Sequence, residues 1–205
     1  MRRFFDLTNP FWSMMSLLSD MLVLTLLWFF FSLPIITIIP ATVALYSVGT
    51  HLNRQSGGGV IKEFVSAFFK HFKSTVLPGL LILALTAVIV VDIWYYHSVD
   101  AKIATFWLFV FIFLGLVLVS LLAYLLPLKS LYDWSWKELL IKSFLMAIRY
   151  LQWTLFMVTV NGAFLFVTVY VAPYLSLFVI GAIGWLNMKV VLMLLEREAV
   201  LQAKQ

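Results

Sequence analysis

Asp20 is the residue with the most chemical potential in this chain, because it lies midway along a long apolar run from Phe11 to Phe31. Ser16 and Ser13 precede it by four and seven residues, so at helical spacing the three form one polar stripe. A carboxylate placed there can bind a cation, carry a proton or hydrogen-bond a neighbouring helix, since leaving it bare in hydrocarbon costs several kcal/mol. Asn161 is the next polar group inside an apolar run, with Thr154 and Thr168 on a similar face. Its amide suits helix–helix adhesion more than substrate binding. Asp92 is followed by Trp94, Tyr95, Tyr96 and His97, the composition of a membrane–water boundary. Lys189 stands about two turns before Arg197 and can snorkel to a surface, or line a cavity with Asn187.

Residue patterns that would mark an enzyme are missing from the sequence. It contains no Gly-x-Ser-x-Gly, no His-Glu-x-x-His and no glycine-rich loop ending in Gly-Lys-[Ser/Thr]. Gly57-Gly58-Gly59 runs into Val60, which cannot hold a phosphate as a lysine would, so it reads as a loop joint. His51, His71 and His97 stand at three separate places without ligand spacing, and there is no cysteine. The expectation is a non-enzymatic protein with no catalytic residue, cofactor or metal.

Composition says what must position these groups. The chain has 205 residues, 64% of them hydrophobic and 11% charged, with a mean hydropathy of +1.06. A soluble domain carries about 25% charged residues, so lipid must cover much of this one. The expected fold is all-α: a single polytopic transmembrane bundle over residues 1–205, with five to six membrane segments and two cytoplasmic amphipathic helices. Apolar runs cover Phe11–Phe31, Pro34–Tyr46, Thr75–Tyr96, Ile103–Leu126, Leu151–Val171 and Tyr174–Leu195. All but the second are long enough alone to cross the hydrocarbon core. Pro34 and Pro40 remove two amide donors, so Leu33–Pro40 reads as a helix break with a short helix Ala41–Asn53 behind it; one long kinked helix is the alternative. The first run continues past the length of a signal-peptide core and lacks a small-residue cleavage site, so it reads as a membrane segment.

The net charge of +5 sits in short loops between apolar runs, a positive-inside pattern and not a nucleic-acid surface. His51–Lys73 holds Arg54, Lys62, Lys70 and Lys73, and Lys129–Tyr150 holds Lys129, Lys137, Lys142 and Arg149, whereas His97–Lys102 holds only Lys102. Both large loops and the C-terminus are therefore expected in the cytoplasm. Arg2 and Arg3 favour six crossings over five, with a hairpin turning near Leu33–Pro40.

The two basic loops look alike. Ile61, Phe64, Val65, Phe68, Phe69 and Phe72 fall on one helix face, with Lys62, Lys70 and Lys73 on the other. Trp136, Leu139, Leu140, Phe144, Ala147 and Leu151 repeat the pattern, and Ser135-Trp136-Lys137-Glu138 predicts a capping box. Lys62-Glu63-Phe64 and Lys137-Glu138-Leu139 occupy matching places, which suggests a weak internal duplication around 41–97 and 103–171. Each amphipathic segment can lie in the lipid interface or dock on a neighbouring protein. The candidate docking face is Phe64, Phe68, Phe69, Phe72, Trp136 and Leu140.

A family resemblance runs from Asn9 to Lys73. It is carried by Asn9-Pro10-Phe11, Asp20, Leu27-Trp28, Leu33-Pro34-Ile35 with Thr37-Ile38, Pro40, Ala44-Leu45-Tyr46, the glycine turn, and Phe64, Phe68 and Phe72-Lys73. In that order these elements resemble the YesL-like family, small bacterial membrane proteins classed as a domain of unknown function. The chain departs from the family at Ile39, where glycine is usual. The resemblance implies five or six helices in a bacterial cytoplasmic (inner) membrane and no assigned reaction. It also implies an accessory role in carbohydrate uptake, with the lipid bilayer and the membrane subunits of ABC-type importers as partners. The alternative is a small carrier or channel with a polar path near Asp20 and the Leu33–Pro40 break.

Overall fold

Residues 10–53, 59–99, 102–171 and 176–202 are described by a computed structural model of the chain. The elements are α1 (Pro10–Phe31), a 3₁₀ turn (Ile35–Thr37), α2 (Ile38–Asn53), α3 (Val60–His97), α4 (Lys102–Leu131), α5 (Trp136–Arg149), α6 (Leu151–Phe166) and α7 (Ser176–Gln202); a π-turn (Val167–Val171) extends α6. Among the described residues there is no strand. The all-α expectation holds.

Among the described residues, five stretches are long and apolar enough to cross a membrane: Met14–Phe31, Ile35–Leu52, Val60–His97, Lys102–Leu131 and Phe178–Val200. A sixth exists only as a bent pair, α5 with Leu151–Phe164, which meet at 96°. The chain is a multi-pass membrane protein, and both counts of the sequence reading remain compatible with it.

The proline break is shorter than Leu33–Pro40. α1 ends at Phe31 because Pro34 takes an extended conformation, with φ −74° and ψ 119°. The Thr37 hydroxyl lies between the carbonyls of Phe31 and Pro34, at 2.5 and 2.6 Å, and so covers backbone acceptors that the break exposes. Pro40 does not break anything. It sits in the first turn of α2, where an N–H would have no helical acceptor in any case. α1 and α2 are two helices, not one kinked helix.

α3 is one helix of 38 residues, about 57 Å at 1.5 Å per residue. That exceeds a hydrocarbon core of about 30 Å, so α3 cannot lie wholly within it, and the segment Ile61–Phe72 is continuous with a spanning helix and not a separate surface element. Pro78 lies inside α3 and cannot donate to the carbonyl of Ser74, four residues earlier. The Trp136 indole donates to that carbonyl at 2.9 Å, which ties the start of α5 to the proline defect of α3.

The predicted capping box of α5 is present: Glu138 N–H donates to Ser135 Oγ at 3.4 Å and Ser135 N–H donates to Glu138 Oε2 at 3.1 Å. α5 then turns 96° into α6 at Tyr150. The two amphipathic segments thus differ in geometry, the first continuous with its membrane helix and the second nearly perpendicular to its own.

The core has two parts. Leu24, Val43, Val48, Phe64, Leu125 and Met188 centre one, where α1, α2, α3, α4 and α7 meet. Tyr124, Leu128, Leu139, Met157, Val191 and Leu194 centre the other, where α5 and α6 pack on α4 and α7. The stretches Leu80–Tyr95 of α3 and Ile103–Val119 of α4 extend from these cores as a two-helix arm, held together by contacts such as the Tyr96–Phe111 ring stack at 5.7 Å.

Charges scattered over three parts of the sequence gather at one end. Lys70 pairs with Asp133 at 3.9 Å, His51 with Glu63 at 3.9 Å and Arg149 with Glu198 at 3.2 Å. The positive-inside rule predicts that this end faces the cytoplasm. Single cysteines at Lys137 and Ser98, in a chain with none of its own, should label from opposite sides, Ser98→Cys from outside intact cells. Outside labelling of Lys137→Cys would invert the topology.

Candidate functional site

α1 carries Asp20 at its middle, and the side chain is half-buried. It lines a groove of about 760 Å³ with Val23 of its own helix and Gly59, Ile61, Lys62 and Val65 at the beginning of α3. Asp20 is therefore not enclosed by the bundle; it faces an open groove whose wall, among the described residues, carries one cation, Lys62. Ser16 is exposed, and the side chain of Ser13 lies outside the described residues.

Asn161 belongs to another part of the protein. It lies on α6, which packs on α4, α5 and α7. Its Oδ1 is buried and accepts no hydrogen bond from the described residues. Thr154, predicted on the same face, is buried and hydrogen-bonds the Tyr124 hydroxyl at 3.0 Å and the Ala147 carbonyl at 2.9 Å. Thr168 donates within its own helix to Phe164 O at 2.8 Å. The structure does not bring Asp20 and Asn161 into one site.

The candidate docking face divides. Phe64 and Phe68 are buried, and their rings pack edge-on against Phe31 at centroid distances of 5.4 and 4.7 Å. Phe72 is half-buried against the same core, and only Phe69, at 65% exposure, points away. The expectation of an outward phenylalanine face is corrected for Phe64 and Phe68, because α1 and α2 already cover that side of α3. Trp136 is half-buried with its indole committed to Ser74, while Leu140 is exposed.

A polar seam that the spacing did not reveal joins α1, α2 and α7. Thr25 Oγ1 donates to Met21 O and accepts from the Gly181 N–H, both at 2.9 Å. Asn187 is buried, donates through Nδ2 to the Tyr46 hydroxyl at 3.4 Å, and leaves its Oδ1 unpaired among the described residues. Gly181 and Gly184 make this seam possible. A Cβ on Gly181 would collide with the Met21 carbonyl, and one on Gly184 with the Leu45 side chain. The two glycines stand three positions apart, and so on one face of α7.

A second missed cluster stands beside α5. Lys142 Nζ lies 3.3 Å from the centroid of the Trp134 ring, whose other neighbour Tyr132 stacks on it at 4.0 Å and 1°. The signal was available as Tyr132-x-Trp134 immediately before the capping box.

The family described as "Protein of unknown function, DUF624" matches residues 21–93, from the middle of α1 through the break and α2 nearly to the end of α3. "Uncharacterized protein YteU" of Bacillus subtilis (strain 168) is 30% identical over 171 residues, which is 81% of this chain and 76% of that protein. The chain belongs to the DUF624 family. The YesL-like resemblance read from the sequence is to this family, and the match extends well past Lys73 along α3. No solved structure matches the chain. Within the region matched to DUF624 lie Asp92, Pro34, Pro40 and the buried phenylalanines of α3, whereas Asp20 falls one residue before it.

Proposed function

We propose that this DUF624 protein is a non-enzymatic membrane component that acts through protein contacts within the bilayer, as an accessory to a carbohydrate ABC-type importer. The observation that carries the reading is the α3–α4 arm. Leu81, Val88, Val91 and Trp94 on α3, and Phe106, Phe109 and Phe113 on α4, are all exposed. Helices apolar all round need lipid or another membrane protein about them, and crowded aromatic side chains are the composition of interface anchors. The importer as partner rests on the family resemblance of the sequence.

Affinity purification in mild detergent tests this. The wild-type protein should bring down importer membrane subunits, and Trp94→Ala with Phe113→Ala should lose them while melting at the same temperature as wild type. Equal recovery with the altered arm would overturn the reading. The carrier reading has one observation in its favour, the groove shared by Asp20 and Lys62. It would take over if the purified chain alone moved solute or ions across vesicles and Asp20→Asn stopped that while leaving the fold intact.

A further inference from the structure

We propose that the recess between α4, α5 and α7 is a binding site for a single phospholipid with an anionic headgroup. α5 divides its circumference three ways. Leu139, Ser143, Met146 and Ala147 are buried against the bundle. Leu140, Phe144, Ile148, Ile141 and Leu145 follow around the helix as an exposed, mainly apolar arc that Lys137 interrupts in the first turn, and Glu138, Arg149 and Lys142 complete the circle as a charged one. A helix wedged between protein, hydrocarbon and water needs those three faces. The 96° bend into α6 lays α5 along the membrane surface if α6 crosses it.

The recess, about 420 Å³, opens where the charged arc meets the apolar one. Lys142 and Arg149 stand on one side, Trp134 and Tyr132 behind them, and Leu145 at the apolar margin. Glu198 already pairs with Arg149 at 3.2 Å. Lys142 has no carboxylate partner among the described residues; its ammonium rests on the Trp134 ring, which holds it in place without neutralising it. The recess therefore carries about one uncompensated positive charge. A phosphodiester bears one negative charge, and acyl chains can continue over Leu145 and Ile148 into the bilayer. Charge and apolar surface together fit a lipid better than a free anion, which would use only the cationic half.

Native mass spectrometry of the detergent-purified protein titrated with phosphatidylglycerol tests the site, with phosphatidylcholine of the same acyl chains as the neutral comparison. Wild type should retain phosphatidylglycerol preferentially. Lys142→Gln should weaken that binding roughly tenfold, in line with loss of a charge-assisted contact, and Lys142→Arg should restore it. Lys102→Gln, at the far end of the arm, should have no effect. Because Lys142 is exposed, its substitution should leave the melting temperature in neutral detergent unchanged. Unaltered phosphatidylglycerol binding by Lys142→Gln would overturn the proposal. Binding of soluble glycerol phosphate as tight as that of the lipid, with the same dependence on Lys142, would assign the recess to a free phosphate. A protein chain released by Lys142→Gln, with lipid binding unchanged, would assign it to a protein partner.

Discussion

Phe64→Ala should destabilise the detergent-solubilised protein by about 3–5 kcal/mol, the usual cost of deleting a fully buried aromatic side chain. Phe64 has no exposed surface and meets Phe31 across α1, so its removal opens a cavity where α1, α2 and α3 join. Phe69 lies five residues along the same helix with 65% of its surface exposed, and Phe69→Ala should change stability by less than about 0.5 kcal/mol. Thermal unfolding of the two variants beside wild type reads the contrast directly. A Phe64→Ala protein that melted normally but lost a co-purifying partner would restore the outward docking face that the sequence pattern suggested.

The second large effect is expected at Gly181. An alanine there drives its Cβ into the Met21 carbonyl, which belongs to the backbone of α1 and cannot rotate away. Relief requires α1 and α7 to separate, which also stretches the 2.9 Å hydrogen bond from Gly181 N–H to Thr25. Overpacking of this kind costs about 1–3 kcal/mol. Gly162→Ala is the control, because a Cβ at Gly162 meets nothing within 4 Å and alanine is the better helix former. Melting temperatures should fall for Gly181→Ala and hold or rise for Gly162→Ala. Equal behaviour of the two would mean that α1 and α7 do not cross at this point.

Much of the architecture was legible in one dimension because its causes are local. Long apolar runs specify helices in lipid, where every backbone donor must be satisfied within its own segment. The Ser135–Glu138 cap was readable for the same reason, since both partners lie within one turn. Pro34 was correctly placed at a break, but Pro40 was misjudged. A proline interrupts a helix only where its missing N–H had a helical acceptor, and the exact register of the first turn of α2 decides that.

Asp20, the apolar stripe of α3 and the basic loops were all visible as residue types at a spacing, without their surroundings. Helical periodicity says that Phe64, Phe68, Phe69 and Phe72 share a side; it does not say that α1 and α2 occupy that side and leave Phe69 out. The Trp136–Ser74 bond spans 62 residues and Asn187–Tyr46 spans 141, distances over which no sequence pattern carries information. The sequence by itself determined a helical, multi-pass membrane protein of the DUF624 family, because lipid solvation and backbone hydrogen bonding act segment by segment. Only the tertiary structure decided which apolar faces are spent inside the bundle and which polar groups meet, because those outcomes depend on which helices become neighbours.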